Sequence, residues 1–91
     1  MSFEISLKNK IAVVTGSSRG LGKAMAVALA SAGADIVITS RDIESLYKTE
    51  KEITAMGRDV LKVNLEVKDN ESIKDLVKQT LDKFGKIDIY C

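Results

Sequence analysis

The stretch from Thr15 to Gly22, T-G-S-S-R-G-L-G, is the part of this sequence best suited to holding a ligand. It follows a short apolar run, Ile11–Val14, and precedes a segment with a helical pattern of apolar residues. Gly16 allows a sharp turn out of the strand. Gly20 and Gly22 carry no Cβ, so a ligand or a neighbouring strand can approach closely. The helix N-terminus presents unpaired N–H groups and a positive dipole end. These features favour binding of a pyrophosphate.

The spacing of these glycines differs from that of two other phosphate-binding motifs. A P-loop requires Ser or Thr after its lysine, and here Ala24 follows Lys23. The plain G-x-G-x-x-G motif fails because Met25 stands where the third glycine is needed. A receiver-type domain would need an acid at the end of the first strand, where Thr15 stands. The pattern that fits is T-G-x-x-x-G-x-G.

Tyr47 and Lys51 form a second group of side chains that could do chemistry. Their Y-x-x-x-K spacing places both on one face of a helix. Ligands of a parallel sheet bind at the carboxyl ends of the strands, whereas this pair falls within a crossover helix. We therefore interpret Tyr47 as a packing residue of the apolar stripe, and Lys51 as a surface partner of Tyr47 or Glu50.

The apolar pattern predicts the elements that position the glycine turn. Strands rich in β-branched residues are expected at Ile11–Val14, at Asp35–Thr39 and between Val60 and Val67, and a fourth begins at Ile87 and Ile89. Three helices alternate with them, the second capped by Asp42 and the third by Asp69 or Asn70, and the terminating glycines are Gly33, Gly57 and Gly85. The alternation indicates an α/β fold with a parallel sheet.

Each helix has a predicted apolar face. In the first helix the face consists of Leu21, Ala24, Met25, Ala28, Leu29 and Ala32. In the second it includes Ile43, Leu46, Tyr47, Ile53 and Met56. In the third it consists of Ile73, Leu76, Val77, Thr80, Leu81 and Phe84.

The composition indicates one globular unit. The chain has 91 residues, 14 Lys or Arg and 13 Asp or Glu, so its net charge of +1 argues against binding to nucleic acid or to a membrane surface. Histidine, the commonest metal ligand and general base, is absent, and we expect no metal site. Cys91 is the one cysteine, which favours a reducing compartment, so we expect a cytoplasmic protein. We find neither a signal-peptide h-region nor a membrane-spanning run.

The glycine turn and four further segments resemble the short-chain dehydrogenase/reductase (SDR) family in its N-terminal portion. These segments are Leu7–Gly16, Ser31–Ala34, Glu66–Asp69 and Phe84–Ile89. The resemblance implies a partial Rossmann, or doubly wound, parallel sheet, in which residues 1–91 form a single truncated NAD(P)-binding domain. It implies that the chain binds a nicotinamide dinucleotide. The implied contact residues are Gly16, Ser18, Arg19, Gly20, Leu21, Gly22, Ser40, Arg41, Glu66 and Val67.

The end of the second strand predicts which dinucleotide is preferred. An acid there would accept hydrogen bonds from the ribose 2′-hydroxyl of NAD, whereas a basic residue pairs with the 2′-phosphate of NADP. The sequence has Ser40 and Arg41 at this point, and Arg19 offers a second cation from the turn. We expect NADP as the cofactor and NAD as the weaker ligand. The alternative to this interpretation is that Arg19 and Arg41 are ordinary solvated charges at the protein surface.

Two positions align with the adenine pocket of the family. Glu66 stands where the family has an Asp that meets the adenine amino group, and its longer side chain displaces the carboxylate. Val67 aligns with a residue that lines the pocket. A solvated charge at Glu66 and a core position for Val67 are the alternatives.

In the family, catalysis uses a Ser, a Tyr, a Lys and a helix Asn, all beyond the fourth strand, where this sequence stops. We therefore assign no catalytic residue. Three interpretations stay open: the cofactor-binding half of an NADP-preferring oxidoreductase, not catalytic alone; a nucleotide- or partner-binding module without enzyme activity; and an inert gene fragment. The family reaction is reversible hydride transfer between NADP(H) and an alcohol or carbonyl substrate.

The third helix lacks its usual neighbour, so an uncovered sheet face and self-association through it are expected.

Overall fold

The computed structural model describes residues 6–91 and contains four strands and three α-helices. The strands are β1 (Ile11–Val14), β2 (Asp35–Ser40), β3 (Val60–Asn64) and β4 (Ile89–Tyr90). The helices are α1 (Gly20–Ser31), α2 (Tyr47–Ala55) and α3 (Asn70–Phe84), and a 3-10 turn over Ile43–Leu46 leads directly into α2. The predicted alternation of strands and helices is confirmed.

The four strands form one parallel sheet in the order β3-β2-β1-β4. β2 pairs with β1 along its first four residues, from Asp35 opposite Ile11 to Ile38 opposite Val14. The chain builds the sheet outward from β1 to β3 and then crosses to the other side of β1. Ligands of such sheets bind where the strand order reverses, at the carboxyl ends of the strands. The order confirms the predicted partial Rossmann sheet.

Helices cover both faces of the sheet. Because successive side chains of a strand point to opposite faces, Ala12 and Val14 of β1 pack on the side of α1 and α2, and Val13 packs on the side of α3. Ile53 of α2 is buried in the first layer and Leu76 of α3 in the second. β1 is therefore buried along its whole length and β2 along its four central residues, as expected for parallel strands covered on both faces, whereas the edge strand β3 is only partly buried.

The polar caps and the terminal glycines lie where the sequence predicts them. The Asp42 carboxylate accepts a hydrogen bond from the Glu44 N–H at 3.1 Å and caps the 3-10 turn. The Asp69 carboxylate accepts from the Glu71 N–H at 2.9 Å and caps α3. At the other end of α3, Gly85 takes a left-handed conformation with φ of 79° and closes the helix.

The buried face of α1 differs from the predicted one. Ala26 and Ala30 are buried, and Gly22 lies one turn earlier on the same side. Three residues of the predicted face are exposed instead: Leu21, Ala24 and Ala28. Residues 24–30 are apolar at every position, so their periodicity does not single out one face. The face with the smallest side chains is buried because it lets the helix approach the sheet most closely.

Four apolar side chains predicted in the second helix or third strand lie at the surface. Their exposed fractions are 40% for Ile43, 55% for Tyr47, 41% for Met56 and 60% for Val67. The 3-10 turn has three residues per turn and breaks the helical stripe, so α2 is anchored by Leu46, Thr49 and Ile53. β3 ends at Asn64, and the valine therefore lies in the loop before α3. The predicted packing role of Tyr47 is therefore wrong. The alternative that Val67 is a core residue is also wrong.

The expectation that one face of the sheet is left uncovered is wrong for the residues that the structure describes. On the α3 side of the sheet, Ile11 is 4% exposed, and Val13 and Val37 are fully buried. The apolar exposure lies on α3 itself, where Val77 is 37% and Leu81 45% exposed. α3, together with Leu65 and Ile87 from the adjoining loops, thus buries this face of the sheet, and α3 leaves its own outer side open.

Asp88 joins the short strand β4 to β1 at the amino-terminal edge of the sheet. Its carboxylate Oδ2 accepts a hydrogen bond from the Ile11 N–H at 2.8 Å, and its own N–H donates to the Ile11 carbonyl at 2.9 Å. The Lys86 ammonium lies 3.1 Å from the same Oδ2. The hydrogen bond from Ile11, helped by Lys86, lowers the pKa of the Asp88 carboxyl below its ordinary value.

The helices of residues 6–91 are all too short or too polar to span a lipid bilayer.

Candidate cofactor site

The glycine turn joins β1 to α1 at the carboxyl edge of the sheet. Gly16 and Gly20 have φ of 64° and 62°, in the left-handed region that residues with a Cβ avoid. A Cβ built on either glycine would meet nothing within 4 Å, so the space beside both is open. At Gly22 the backbone itself fills the space, because a Cβ there would lie 2.1 Å from the carbonyl oxygen of Gly16. The turn is open on its outer side and tightly closed against its own helix.

The first turn of α1 has neither a capping side chain nor an acid. Arg19 stands at the N-cap position without a side-chain hydrogen bond to the helix. Among the three α-helices of residues 6–91, α1 differs in having neither a capping side chain nor an acid in its first turn. Asp69 caps α3, and Glu50 lies in the first turn of α2. The first N–H groups of a helix have no partner within it and lie at the positive dipole end. The start of α1 can therefore take an anion from outside.

Two adjoining clefts open beside the glycine turn, one of about 540 Å³ and the other of about 610 Å³. Four residues from the turn and the end of β2 line both clefts: Ser18, Arg19, Ser40 and Arg41. The first cleft also contains Gly16, Glu66 and Val67, so it brings together seven of the ten predicted contact residues. The other three, Gly20, Leu21 and Gly22, form the adjoining first turn of α1. The second cleft extends along the 3-10 turn to Tyr47 and Lys48.

Two of the four side chains that line both clefts, Arg19 and Arg41, carry positive charge. Among the ion pairs of residues 6–91, none involves Arg19 or Arg41. β2 ends at Ser40, whose hydroxyl accepts from the Asp42 N–H at 3.2 Å and bonds the Ser45 hydroxyl at 3.0 Å. Asp42, which directly follows Arg41 in the sequence, is held by its capping hydrogen bond to the 3-10 turn. The end of β2 therefore offers hydroxyl and guanidinium groups to a ligand.

Glu66 and Val67 form the far wall of the first cleft. The Glu66 N–H donates to the Ser72 hydroxyl at 2.9 Å, and its carboxylate Oε1 accepts from the Lys68 N–H at 3.2 Å. One carboxylate oxygen is thus used to hold the local turn. Val67 presents an apolar side chain beside it.

Three buried hydroxyl residues under the turn escaped the sequence analysis: Ser17, Thr39 and Thr49. Thr39 accepts from two successive N–H groups of the turn, Gly16 to its hydroxyl at 3.2 Å and Ser17 to its carbonyl at 2.9 Å. The Thr39 N–H donates back to the Ser17 hydroxyl at 3.1 Å, and both hydroxyls donate to the Val14 carbonyl. Thr39 could have been noticed because it directly follows the buried apolar run of β2, whereas Ser17 and Thr49 follow no such run. β2 therefore supports the turn from below.

Tyr47 and Lys51 are neighbours on the surface of α2. The Lys51 ammonium lies 5.0 Å from the centroid of the Tyr47 ring, which confirms the surface pairing predicted for this lysine. The ring lines the outer end of the second cleft, whereas Lys51 lines a separate depression on α2 with Glu50.

Within residues 6–91 no group of three or more Cys, Asp and Glu side chains could hold a metal ion. The open glycine backbone, the uncapped start of α1 and the two arginines have instead the chemistry needed to hold the phosphate groups of a dinucleotide.

Comparison with known proteins identifies the family. A sequence model of the short chain dehydrogenases matches residues 10–91. The chain belongs to the short-chain dehydrogenase family. Its N-terminal resemblance to that family is thereby confirmed, and members of the family bind a nicotinamide dinucleotide.

Individual family members are similar over almost all of this chain. (2S)-[(R)-hydroxy(phenyl)methyl]succinyl-CoA dehydrogenase subunit BbsD of Thauera aromatica is 38% identical over 85 residues, which cover 93% of this chain and 34% of that protein. A metagenomic short-chain oxidoreductase solved with NADP is 37% identical with a TM-score of 0.87, covering 92% of this chain and 38% of that one. A 7α-hydroxysteroid dehydrogenase solved with NADH is 26% identical with a TM-score of 0.90, covering 96% and 34%. The chain thus spans about a third of the length of its relatives.

Proposed function

We propose that this chain is the cofactor-binding part of an NADP(H)-preferring short-chain oxidoreductase. The dinucleotide, when bound, supplies or accepts the hydride that is exchanged with an alcohol or carbonyl substrate. The observation that carries the proposal is that Arg19 and Arg41 both line the two clefts beside the glycine turn. Ser40 stands at the end of β2, where an acid would favour NAD.

The residues of the chain would divide the binding between them. The N–H groups at the start of α1 would hold the diphosphate, because they lie at the positive end of the helix dipole. Arg19 and Arg41 would pair with the 2′-phosphate, which the planar guanidinium fork fits well. Glu66 and Val67 would face the adenine from the opposite wall of the cleft.

The proposal assigns binding and orientation to this chain, and no proton transfer. Tyr47 lies beside Lys51 and lines the second cleft, but it does not line the first cleft, which contains Gly16, Glu66 and Val67. We accordingly expect the chain alone to bind dinucleotide without turnover. The proposal includes a cytoplasmic location, supported by the single exposed cysteine, since disulfides are rare in reducing compartments.

Calorimetric titration of the chain with NADPH and NADH tests the proposal. We expect NADPH to bind more tightly by roughly tenfold to a hundredfold, the range for one or two charge-assisted hydrogen bonds. Arg41→Gln should remove most of this preference and leave NADH affinity almost unchanged. Lys78→Gln makes the same change in net charge on the exposed side of α3 and should leave both affinities unchanged. Equal affinities for the two dinucleotides, or tighter binding of NADH, would overturn the proposed preference.

A further inference from the structure

Thr49 of α2 makes an unusual hydrogen bond for a threonine inside a helix. A helical threonine often donates to the carbonyl four residues earlier, as buried Thr80 of α3 does to Leu76 at 2.8 Å. The Thr49 hydroxyl is equally buried and donates instead to the Ser17 carbonyl at 2.9 Å, 32 positions away. The bond links the second helix directly to the glycine turn.

This bond fixes the orientation of one peptide unit in the turn. The peptide between Ser17 and Ser18 is trans and planar, so its carbonyl and its N–H point in opposite directions. Because the Ser17 oxygen is held inward by Thr49, the Ser18 N–H is directed away from α2. Ser18 lines both clefts. An N–H held in this direction is a donor of the kind that binds phosphate oxygens.

The two preceding peptide units are anchored as well. The Gly16 N–H donates to the Thr39 hydroxyl, and the Ser17 N–H donates to the Thr39 carbonyl. Three successive peptides of the turn are therefore each held by β2 or α2 through one hydrogen bond. A backbone that is already ordered loses less conformational freedom when a ligand binds.

We propose that Thr49 is a positioning residue for the diphosphate of the dinucleotide. It contacts no ligand itself. By holding the Ser17 carbonyl it aims the Ser18 N–H into the cleft before the ligand arrives. The inference rests on the proposed dinucleotide-binding function and extends it to a helix that the glycine motif does not include.

Three variants separate this role from general stabilisation. Thr49→Val keeps the shape of the side chain and removes the donor, whereas Thr49→Ser keeps the donor. Thr80→Val removes an equally buried threonine donor on the opposite face of the sheet, where no predicted cofactor contact lies. It is the matched control, because it loses a hydrogen bond of the same type far from the turn.

Calorimetric titration with NADPH and NADH is the measurement. We expect Thr49→Val to weaken both dinucleotides by about three- to tenfold, the range for one neutral hydrogen bond, and to leave their affinity ratio unchanged because both carry the same diphosphate. Thr49→Ser and Thr80→Val should bind as the unaltered chain does. If Thr49→Val does not fold, Thr49→Cys replaces it, since a thiol donates only weakly, and the same direction of change is expected.

The outcomes separate the two proposals. Unaltered affinity in Thr49→Val, or an equal loss in Thr80→Val, would overturn the positioning role and leave the proposed cofactor preference intact. A parallel loss for both dinucleotides in Thr49→Val, with no preference for NADPH in the unaltered chain, would support the positioning role and overturn the preference. Absence of any dinucleotide binding by the unaltered chain would overturn both.

Discussion

Replacing Gly22 with alanine is expected to destabilise this protein, although alanine is the better helix former. Within a helix, Gly→Ala ordinarily stabilises by about 0.5–1 kcal/mol, because alanine loses less conformational entropy on folding. Gly22 does not have a positive φ, so this gain is available to it. The direction of the effect is decided by what the new methyl group meets.

The methyl group of Gly22→Ala would meet backbone. The added Cβ would lie 2.1 Å from the Gly16 carbonyl oxygen, 2.8 Å from its carbonyl carbon and 3.2 Å from the Thr15 carbonyl oxygen. Carbon and oxygen in contact need roughly 3.2–3.5 Å, so the turn must move by about 1 Å. Overpacking costs about 1–3 kcal/mol. Subtracting the helix-propensity gain leaves a net destabilisation between about 0 and 2.5 kcal/mol, and the 2.1 Å approach to the backbone places the expected value in the upper half of that range.

Urea unfolding followed by circular dichroism measures this change, and Ala28→Gly in the same helix is the control. Ala28 is exposed, so its replacement should cost only the helix-propensity difference of about 1 kcal/mol. Gly22→Ala should also weaken NADPH binding, because the displaced carbonyl belongs to the turn that we propose to bind the dinucleotide. A Gly22→Ala variant as stable as the unaltered chain, or more stable, would refute the argument from close approach.

Two further predictions concern stability and association. The hydrogen bond from Ile11 holds the folded-state pKa of Asp88 below its ordinary value, so its contribution is present above the ordinary pKa and is lost as the pH falls through the lowered one. Asp88→Asn should therefore flatten the acid side of a stability–pH profile measured by urea unfolding; an unchanged acid slope would contradict this. The outer side of α3 exposes Val77 and Leu81, through which we expect the chain to self-associate at high concentration. Leu81→Asp should give a monomer by sedimentation velocity at concentrations where the unaltered chain is larger, and identical sedimentation of the two would count against this interface.

The sequence was sufficient to predict the strand–helix order and the position of the glycine turn. Both depend on local properties: β-branched runs mark strands, and Gly16 and Gly20 stand where the backbone takes a positive φ. Asp42 and Asp69 could be identified as caps for the same reason, because a cap bonds a residue only two positions away.

Features that depend on distant residues could not be predicted in this way. The buried face of α1 is decided by how closely Gly22 and Ala26 approach the sheet. The apolar pattern of the sequence does not indicate that distance. The Thr49 hydroxyl finds its acceptor only when α2 has packed beside the glycine turn. Burial of Val13 on the α3 side of the sheet likewise depends on the position of that helix over the sheet, which hydrophobic periodicity does not contain.

The hydrogen bonds of Thr15 have a consequence for the order of folding. Its N–H and its hydroxyl both donate to the Cys91 carbonyl at 2.9 Å, across 76 positions of sequence, and the Cys91 N–H donates to Val13. Contacts between residues so far apart form slowly, because the entropy of loop closure must be overcome first. Helices α1 to α3 can form from local interactions, whereas the start of the glycine turn acquires its bonds only when β4 has joined β1. The ordering of Thr15 at the start of the turn is therefore a late event in folding, reached after most of the secondary structure is in place.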